Sequence, residues 1–536
     1  MVGLQDAFER IGEAAEAHLP RTHAAGLSLA VTDADETLGA VVRGFADVAA
    51  ERPVRPDTRF QIGSISKSFA ALCVLQEEAK GTLALDVSVD ELLPWLEMPE
   101  PFGPITLHHL LTHTSGLMTG VEQGPWGMVD AIRARAYPPT TVPGERFWYS
   151  NLGYKLVGYV LERVTEMPVH ELLRERILGP LGMTRSAGAI VEDDRADASV
   201  GYEPILSDRP AHLQSPLGPA IWQPSNTADG SIVSTAPDLC AYARMVLAGG
   251  APLIQPPPFA RWIGPHVDSD ERGTRYGYGW DVLEREGRRV VRHTGGTVGF
   301  TALLEIWPED GLAVAICQNG SGAKDVLGAF ALAAVRAAVS GEELPEVPDV
   351  PAPDAVPDAQ AFAGTYRAGA QIVRLDPEDG RLVLRTGPLA VRLERVAEEP
   401  DLFLAPHPAL ERHALRVHRD ADGVVVGLTR GPVWLARDDA APPESVGHPA
   451  AWEAYPGLYR ADTPWLRALR VYLRLGRLFL FEPASCEEHQ LTPLEGGWFA
   501  VGDPALPRRA RFLDVIEGRA QTLESDAALL TRSFEV

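Results

Sequence analysis

The run FQIGSISKSFAALCVLQEEAKG, Phe60 to Gly81, sets a serine three residues ahead of a lysine at the mouth of an apolar segment. Phe69, Leu72 and Cys73 recur at helical spacing, and Gly81 is a natural stop, so a helix is predicted here. Ser64 then lies at its start, with Lys67 one turn on and on the same face. A serine hydroxyl is a weak nucleophile until a neighbouring base takes its proton. A lysine can be that base once burial or a nearby cation lowers its affinity for the proton. The helix start adds free N–H groups and positive potential, which suit a developing oxyanion. Alone, a serine–x–x–lysine string is common, and a capping serine followed by a surface lysine explains most of them.

Two further strings change that balance. Tyr149-Ser150-Asn151 precedes an amphipathic run in which Leu152, Leu156, Tyr159 and Val160 share a face. In structural terms Asn151 is a helix cap and Tyr149 a core residue. In chemical terms the pair faces Ser64, Tyr149 relaying a proton to the leaving group while Asn151 holds Lys67 and the substrate amide. His293-Thr294-Gly295-Gly296 enters a strand-rich region. Glycines there admit a substrate backbone against the strand edge, and the Gly296 N–H can join that of Ser64 as an oxyanion donor. His109 and His113, four apart, lack the glutamate and third ligand of a zinc helix. Gly26 to Ala30 approaches a nucleophile elbow but lies in an alternating strand, and Gly320-Ser321-Gly322 lacks a phosphate-loop lysine.

Outward from these motifs, residues 24–50 alternate as an antiparallel strand pair with a turn at Asp33 to Asp35, and Asp57 to Ile190 is mainly helical. Tyr276 to Gln318 is strand-rich, and a helix over Ala323 to Val339 follows. Strands at both ends of a helical middle predict one antiparallel sheet completed by the chain's return, with helices packed on it. Residues 341–358 carry five prolines and many acids and read as a stiff acidic linker; Asp438 to Pro449 is a second break. The segments 359–437 and 450–536 repeat each other. Gly364-Thr365-Tyr366-Arg367 recurs as Gly457-Leu458-Tyr459-Arg460, Gly380 as Gly476, Pro408 as Pro504 and Gly423 as Gly518, at offsets of 93 to 96 residues. Each reads as a small lipocalin-like antiparallel β-barrel, serving as scaffold or as a contact of a homo-oligomer.

At 536 residues, 45% hydrophobic and 23% charged, the chain has the make-up of a soluble protein of several domains. A net charge of −24 disfavours nucleic-acid and membrane-surface partners. Met1 to Pro20 lacks the basic and apolar regions of a leader and reads as an amphipathic helix bearing Leu4, Phe8, Ile11 and Leu19. Cys73, Cys240, Cys317 and Cys486 are scattered without a CxxC pair, so a reduced, cytoplasmic location is expected.

Taken together, Ser64 to Lys67, Tyr149 to Asn151 and His293 to Gly295 resemble, in order and spacing, the S-x-x-K, Y-x-N and basic-T-G signatures of the penicillin-binding protein and class C β-lactamase family. Family-like segments lie between them: Leu110 to Leu117 (LLTHTSGL), Pro180 to Met183, Gly230 to Asp238 and Tyr276 to Trp280 (YGYGW). The resemblance covers about residues 5–340. It implies an α+β catalytic domain over 1–340 followed by two β-barrels, and an acyl-enzyme mechanism without metal or cofactor. It further implies Ser64, Lys67, Tyr149, Asn151 and His293 as catalytic residues, with Ser64, Gly295 and Gly296 at the oxyanion. The family's third motif usually carries lysine, which helps to hold a substrate carboxylate; His293 is largely neutral near pH 7. A His-x-G triplet followed by two barrels is most similar to the D-aminopeptidases. The expected substrate is therefore a small peptide or amide with a D-residue on the acyl side. A peptide-cyclising thioesterase or carboxylesterase is the rival within the enzyme class, and a non-catalytic covalent ligand sensor the rival outside it. Side-chain preference would rest on the loops Met118 to Thr140 and Asp194 to Thr227.

Overall fold

Ile11 is fully buried and Leu4, Phe8 and Leu19 pack beside it, so the amphipathic N-terminal run forms helix α1 (Leu4–His18) against a sheet. The computed structural model describes residues 3–99, 101–120, 131–132, 135, 137, 139–396, 399–438, 440–526 and 528–534. The sheet's strands are β1 (His23–Thr32), β2 (Thr37–Asp47), β3 (Arg52–Pro53), β4 (Val267–Asp268), β5 (Thr274–Tyr276), β6 (Asp281–Arg285), β7 (Arg288–Thr297), β8 (Phe300–Trp307) and β9 (Leu312–Ser321). They run in the order β3-β2-β1-β9-β8-β7-β6-β5-β4. The chain's return completes the sheet, with Leu29 facing Val41 on one side and Ile316 on the other. β9 is buried from Leu312 to Gly320, which only a central strand covered on both faces can sustain.

Leu27, Leu29 and Val31 point to the face covered by α1 and by helix α5 (Lys324–Ser340). The opposite face meets the helical layer. That layer includes α2 (Ser66–Lys80), α3 (Asn151–Thr165) and α4 (Ala236–Leu247), whose Arg244 donates to the Thr32 and Thr37 hydroxyls. The predicted elements and their packing are those of an α+β β-lactamase-like domain.

The chain divides into two compact units. One comprises residues 1–203, 217–349 and 505–507, the other 204–216, 350–504 and 508–536. The proline-rich stretch is more anchored than its composition suggests. Leu344 enters the core of the first unit, where Arg10 donates to the Leu344 and Pro345 carbonyls, and Val356 enters the core of the second.

The second unit holds two barrel-like sheets. Nine strands between Gly364 and Arg437 curl without a hydrogen-bonded seam between the two end strands, Leu389–Arg392 and Glu394–Arg395. Eight strands between Gly457 and Ser533 close completely. The sequence repeat is a structural one. The Tyr366 hydroxyl donates to the Phe362 carbonyl at 2.7 Å and the Tyr459 hydroxyl to the Tyr455 carbonyl at 2.6 Å, in each case four residues back. Gly380 and Gly476 both open a hairpin with positive φ, at 72° and 77°, a conformation that explains why glycine recurs there. All four cysteines are buried free thiols. Among the described residues no helix is long and apolar enough to cross a membrane.

Candidate active site

Ser64 sits in a single 3-10 turn, Gly63–Ile65, that leads directly into α2. The turn is pinned from below: the Ile62 N–H donates to the Ile232 carbonyl at 3.1 Å, and the Ile232 N–H donates to Ser66 Oγ at 3.1 Å. Lys67, one turn on as its spacing predicts, is fully buried. Its ammonium nitrogen lies 3.0 Å from Ser64 Oγ, 2.7 Å from Asn151 Oδ1 and 2.8 Å from the Asp229 carbonyl. The ring of Tyr149 is 4.9 Å from the same nitrogen, and the Tyr149 hydroxyl hydrogen-bonds Ser64. Burial, above all, raises the Tyr149 pKa well beyond that of a free phenol, so this hydroxyl is protonated at neutral pH.

The cap assignment differs from expectation. Ser150, not Asn151, is the N-cap of α3: its Oγ accepts from the Gly153 N–H at 3.0 Å and donates to the Met118 carbonyl at 2.7 Å. Serine and asparagine cap about equally well, so adjacent candidates cannot be separated by propensity. With Ser150 capping, Asn151 becomes the first helical residue and its amide is available to Lys67.

Strand β7 carries the third motif against this turn. A Cβ on Gly295 would lie 1.8 Å from the Ile62 carbonyl oxygen and 3.4 Å from the Ser64 nitrogen. A Cβ on Gly63 would lie 2.6 Å from the Gly296 nitrogen. Two backbones thus approach as closely as glycine permits, while Gly296 itself borders open space. The Ser64 and Gly296 amides therefore flank the space beside the Ser64 turn, the arrangement that can cradle an oxyanion.

His293 is 3% exposed. Its Nε2 is 3.1 Å from the Tyr276 hydroxyl and its Nδ1 2.5 Å from the Thr294 carbonyl. Burial first, then the Lys67 charge, lowers its pKa to about 3. Its ring centroid is 6.4 Å from that of Tyr149, and its ring nitrogens bond to other groups.

The five side chains and two glycines singled out in the sequence are brought together. Tyr276, quoted there only as a family-like residue, and His113, quoted as family-like and set aside as a zinc ligand, join them in the chain that leads to His293. The Asp229 carbonyl had no signal, because every residue offers one. Of the loop Met118 to Thr140, residues 121–130, 133, 134, 136 and 138 lie outside the described residues.

Comparison with known proteins agrees with this geometry. The chain is 27% identical over 280 residues to penicillin-binding protein 4* of Bacillus subtilis, covering 49% of this chain and 60% of that protein, so it spans less than two thirds of that relative's length. It is 29% identical over 419 residues to a D-aminopeptidase of Cereibacter sphaeroides, covering 74% of each chain. The octameric penicillin-binding protein homologue of Pyrococcus abyssi superposes with a TM-score of 0.56 at 24% identity, over 81% of this chain and 99% of that one, a likeness of fold. The Beta-lactamase family profile matches residues 6–338, more than half of the chain. With a serine, a buried lysine and a tyrosine in mutual contact within the matched span, the chain belongs to the Beta-lactamase family.

Proposed function

We propose that this protein is a serine hydrolase, a D-stereospecific amidase or aminopeptidase that works through an acyl-enzyme on small amides and peptides. The observation that carries the reading is the neutral, buried His293 at the third-motif position: it offers no cation to a substrate carboxylate. The D-aminopeptidase relative, which aligns over 74% of this chain and so extends past the catalytic unit, supports it.

The geometry suggests how the steps divide. Asn151 Oδ1 and the Asp229 carbonyl can only accept, so they hold two N–H bonds of Lys67. In the neutral amine the lone pair then faces Ser64 Oγ. Lys67 takes the Ser64 proton as Oγ bonds to the substrate carbonyl carbon, and the resulting oxyanion accepts from the Ser64 and Gly296 N–H groups. Collapse breaks the C–N bond, the departing amine takes the Tyr149 proton, and the proton that Lys67 took from Ser64 restores the phenol, leaving Lys67 neutral. A water then attacks the ester, passing its proton back along the same groups.

The test is hydrolysis of D-alanine p-nitroanilide against its L-isomer and the N-acetylated D-form, with wild type and Ser64→Ala. Turnover of the D-amide alone, abolished in Ser64→Ala, is expected. Equal turnover of the L-isomer would sink the stereochemical claim, and turnover of esters or thioesters without any amide would replace it with esterase chemistry.

A further inference from the structure

His113, Tyr276 and His293 form a continuous buried chain whose two ends are chemically fixed. At one end the Ser150 peptide N–H, which can only donate, lies 3.0 Å from His113 Nδ1. His113 Nδ1 is therefore an acceptor. The ring is neutral, because burial first and then the charge of Lys67 hold its pKa well below the usual histidine value. Its proton is thus on Nε2, which donates to the Tyr276 hydroxyl oxygen at 3.2 Å. At the other end the Thr294 carbonyl, which can only accept, lies 2.5 Å from His293 Nδ1, so that nitrogen carries hydrogen. The neutral His293 ring then has a lone pair on Nε2, and it accepts the Tyr276 hydroxyl proton at 3.1 Å. Tyr154, next in the cluster, gives its own hydroxyl proton to the Leu111 carbonyl at 2.8 Å, and its oxygen also meets the Tyr276 hydroxyl; a neutral imidazole nitrogen is a stronger acceptor than a phenol oxygen, so the Tyr276 proton is assigned to His293. The rings of Phe147, Tyr149 and Tyr154 close the remaining sides of His113.

We propose that Tyr276 is a positioning residue that, with the Thr294 carbonyl, locks His293 as the neutral Nδ1–H tautomer, within a one-directional hydrogen-bond chain that His113 continues from the His293-Thr294-Gly295 strand to the Tyr149-Ser150-Asn151 turn. Both ring nitrogens of His293 are consumed inside the protein. His293 therefore neither donates to substrate nor moves a proton, and it acts by filling the cleft wall with an uncharged ring. The chain also holds the Ser150 amide, and with it the flanking Tyr149 and Asn151, in register with β7. The inference deepens the proposed function, since it rests on His293 as the third-motif residue of that same site.

The decisive measurement is the long-range ¹H–¹⁵N spectrum of the histidine-labelled full chain, assigned with His113→Asn and His293→Gln. In resting wild type the expected result is His293 protonated at Nδ1 and His113 protonated at Nε2 between pH 6 and 8, about the range in which a free histidine titrates. Tyr276→Phe keeps the ring but removes the hydroxyl; the Thr294 carbonyl still holds the Nδ1 proton, so the His293 Nε2 resonance should shift as its hydrogen bond is lost. Its kcat should fall by roughly tenfold, the loss of one buried hydrogen bond, with KM little changed. His113→Asn, tolerated in the left-handed backbone at φ 57°, keeps an acceptor near the Ser150 N–H and leaves Tyr276 donating. The His293 pattern should then persist. An Nε2–H or protonated His293 in wild type, or a Tyr276→Phe spectrum identical to wild type at His293, would overturn the proposal. Because the spectrum is read without substrate, it stands or falls separately from whether D-amides are hydrolysed.

Discussion

Lys67 is wholly buried, and its nitrogen meets three oxygen acceptors, a setting in which shape and protonation both matter. An arginine at this position cannot give up a proton at any working pH. Lys67→Arg should therefore lower kcat for any acyl substrate by at least ~10³-fold while a fluorophosphonate probe no longer labels Ser64 at a measurable rate; near-normal labelling would show that another group activates the serine. His293 makes a second prediction at this scale. Its folded pKa of about 3 lies below the unfolded value, so at mildly acid pH the unfolded chain binds the extra proton. The stability it contributes is full above pH ~6.5 and is lost as pH falls towards the folded value, about 2 kcal/mol having gone by pH 5. Denaturant titrations at pH 7 and pH 5 should show that loss reduced by about the same amount in His293→Gln. Ser64 and Lys67 were legible because three-residue spacing on a helix forces contact. The bonded chain from His293 was not, because Tyr276, its partner at Nε2, lies 17 residues away in sequence and His113, the next member, 180.

The helix α3 and the strand β7 each deliver one motif, and each depends on a small local device. Ser150 caps α3 and also bonds the Met118 carbonyl, so Ser150→Ala should cost about 1 kcal/mol in chemical denaturation. It should lower kcat as well, because Asn151 rides on the first turn of that helix. Unchanged stability would mean that another group has taken over the Gly153 N–H. On β7, Gly295→Ala places a methyl against the Ile62 carbonyl, where neither backbone can yield without moving the Ser64 turn. A kcat loss of ~10²-fold or more is expected, the cost of losing an oxyanion donor, with the fold retained by circular dichroism. Full activity in Gly295→Ala would exclude the Ser64 and Gly296 amides as the oxyanion cradle. The helices and strands themselves were readable from periodicity. Which of two adjacent polar residues caps α3 was not, because the choice rests on the Met118 carbonyl, a tertiary partner.

Across the whole molecule, the same chain builds two kinds of core: helices on both faces of a nine-stranded sheet, and β-barrels in the second unit. Within that unit the two barrel-like sheets meet over Leu402, Leu404 and Ala414 from one and Tyr472, Phe481 and Cys486 from the other. Beside this patch Arg474 pairs with Glu488, to which the Tyr472 hydroxyl also donates. Removing the Glu488 charge leaves a buried guanidinium unpaired, so Glu488→Gln should destabilise this unit by about 3 kcal/mol in equilibrium unfolding followed by tryptophan fluorescence. An unchanged midpoint would show that solvent already compensates Arg474.

The sequence by itself determined the α+β class, the antiparallel sheet closed by the chain's return, the repeated barrels and the identity of the side chains gathered at Ser64. These follow from periodicity, turn glycines and spacing within single elements, which are local properties. Only the tertiary structure decided that Ser150 rather than Asn151 caps α3, that the Asp229 carbonyl completes the Lys67 cage, and that both His293 nitrogens bond within the protein. It alone showed that Leu344 and Val356 make core contacts within a stretch composed like a linker. Each of these depends on which groups meet after the chain has folded, and on how completely water is excluded where they meet.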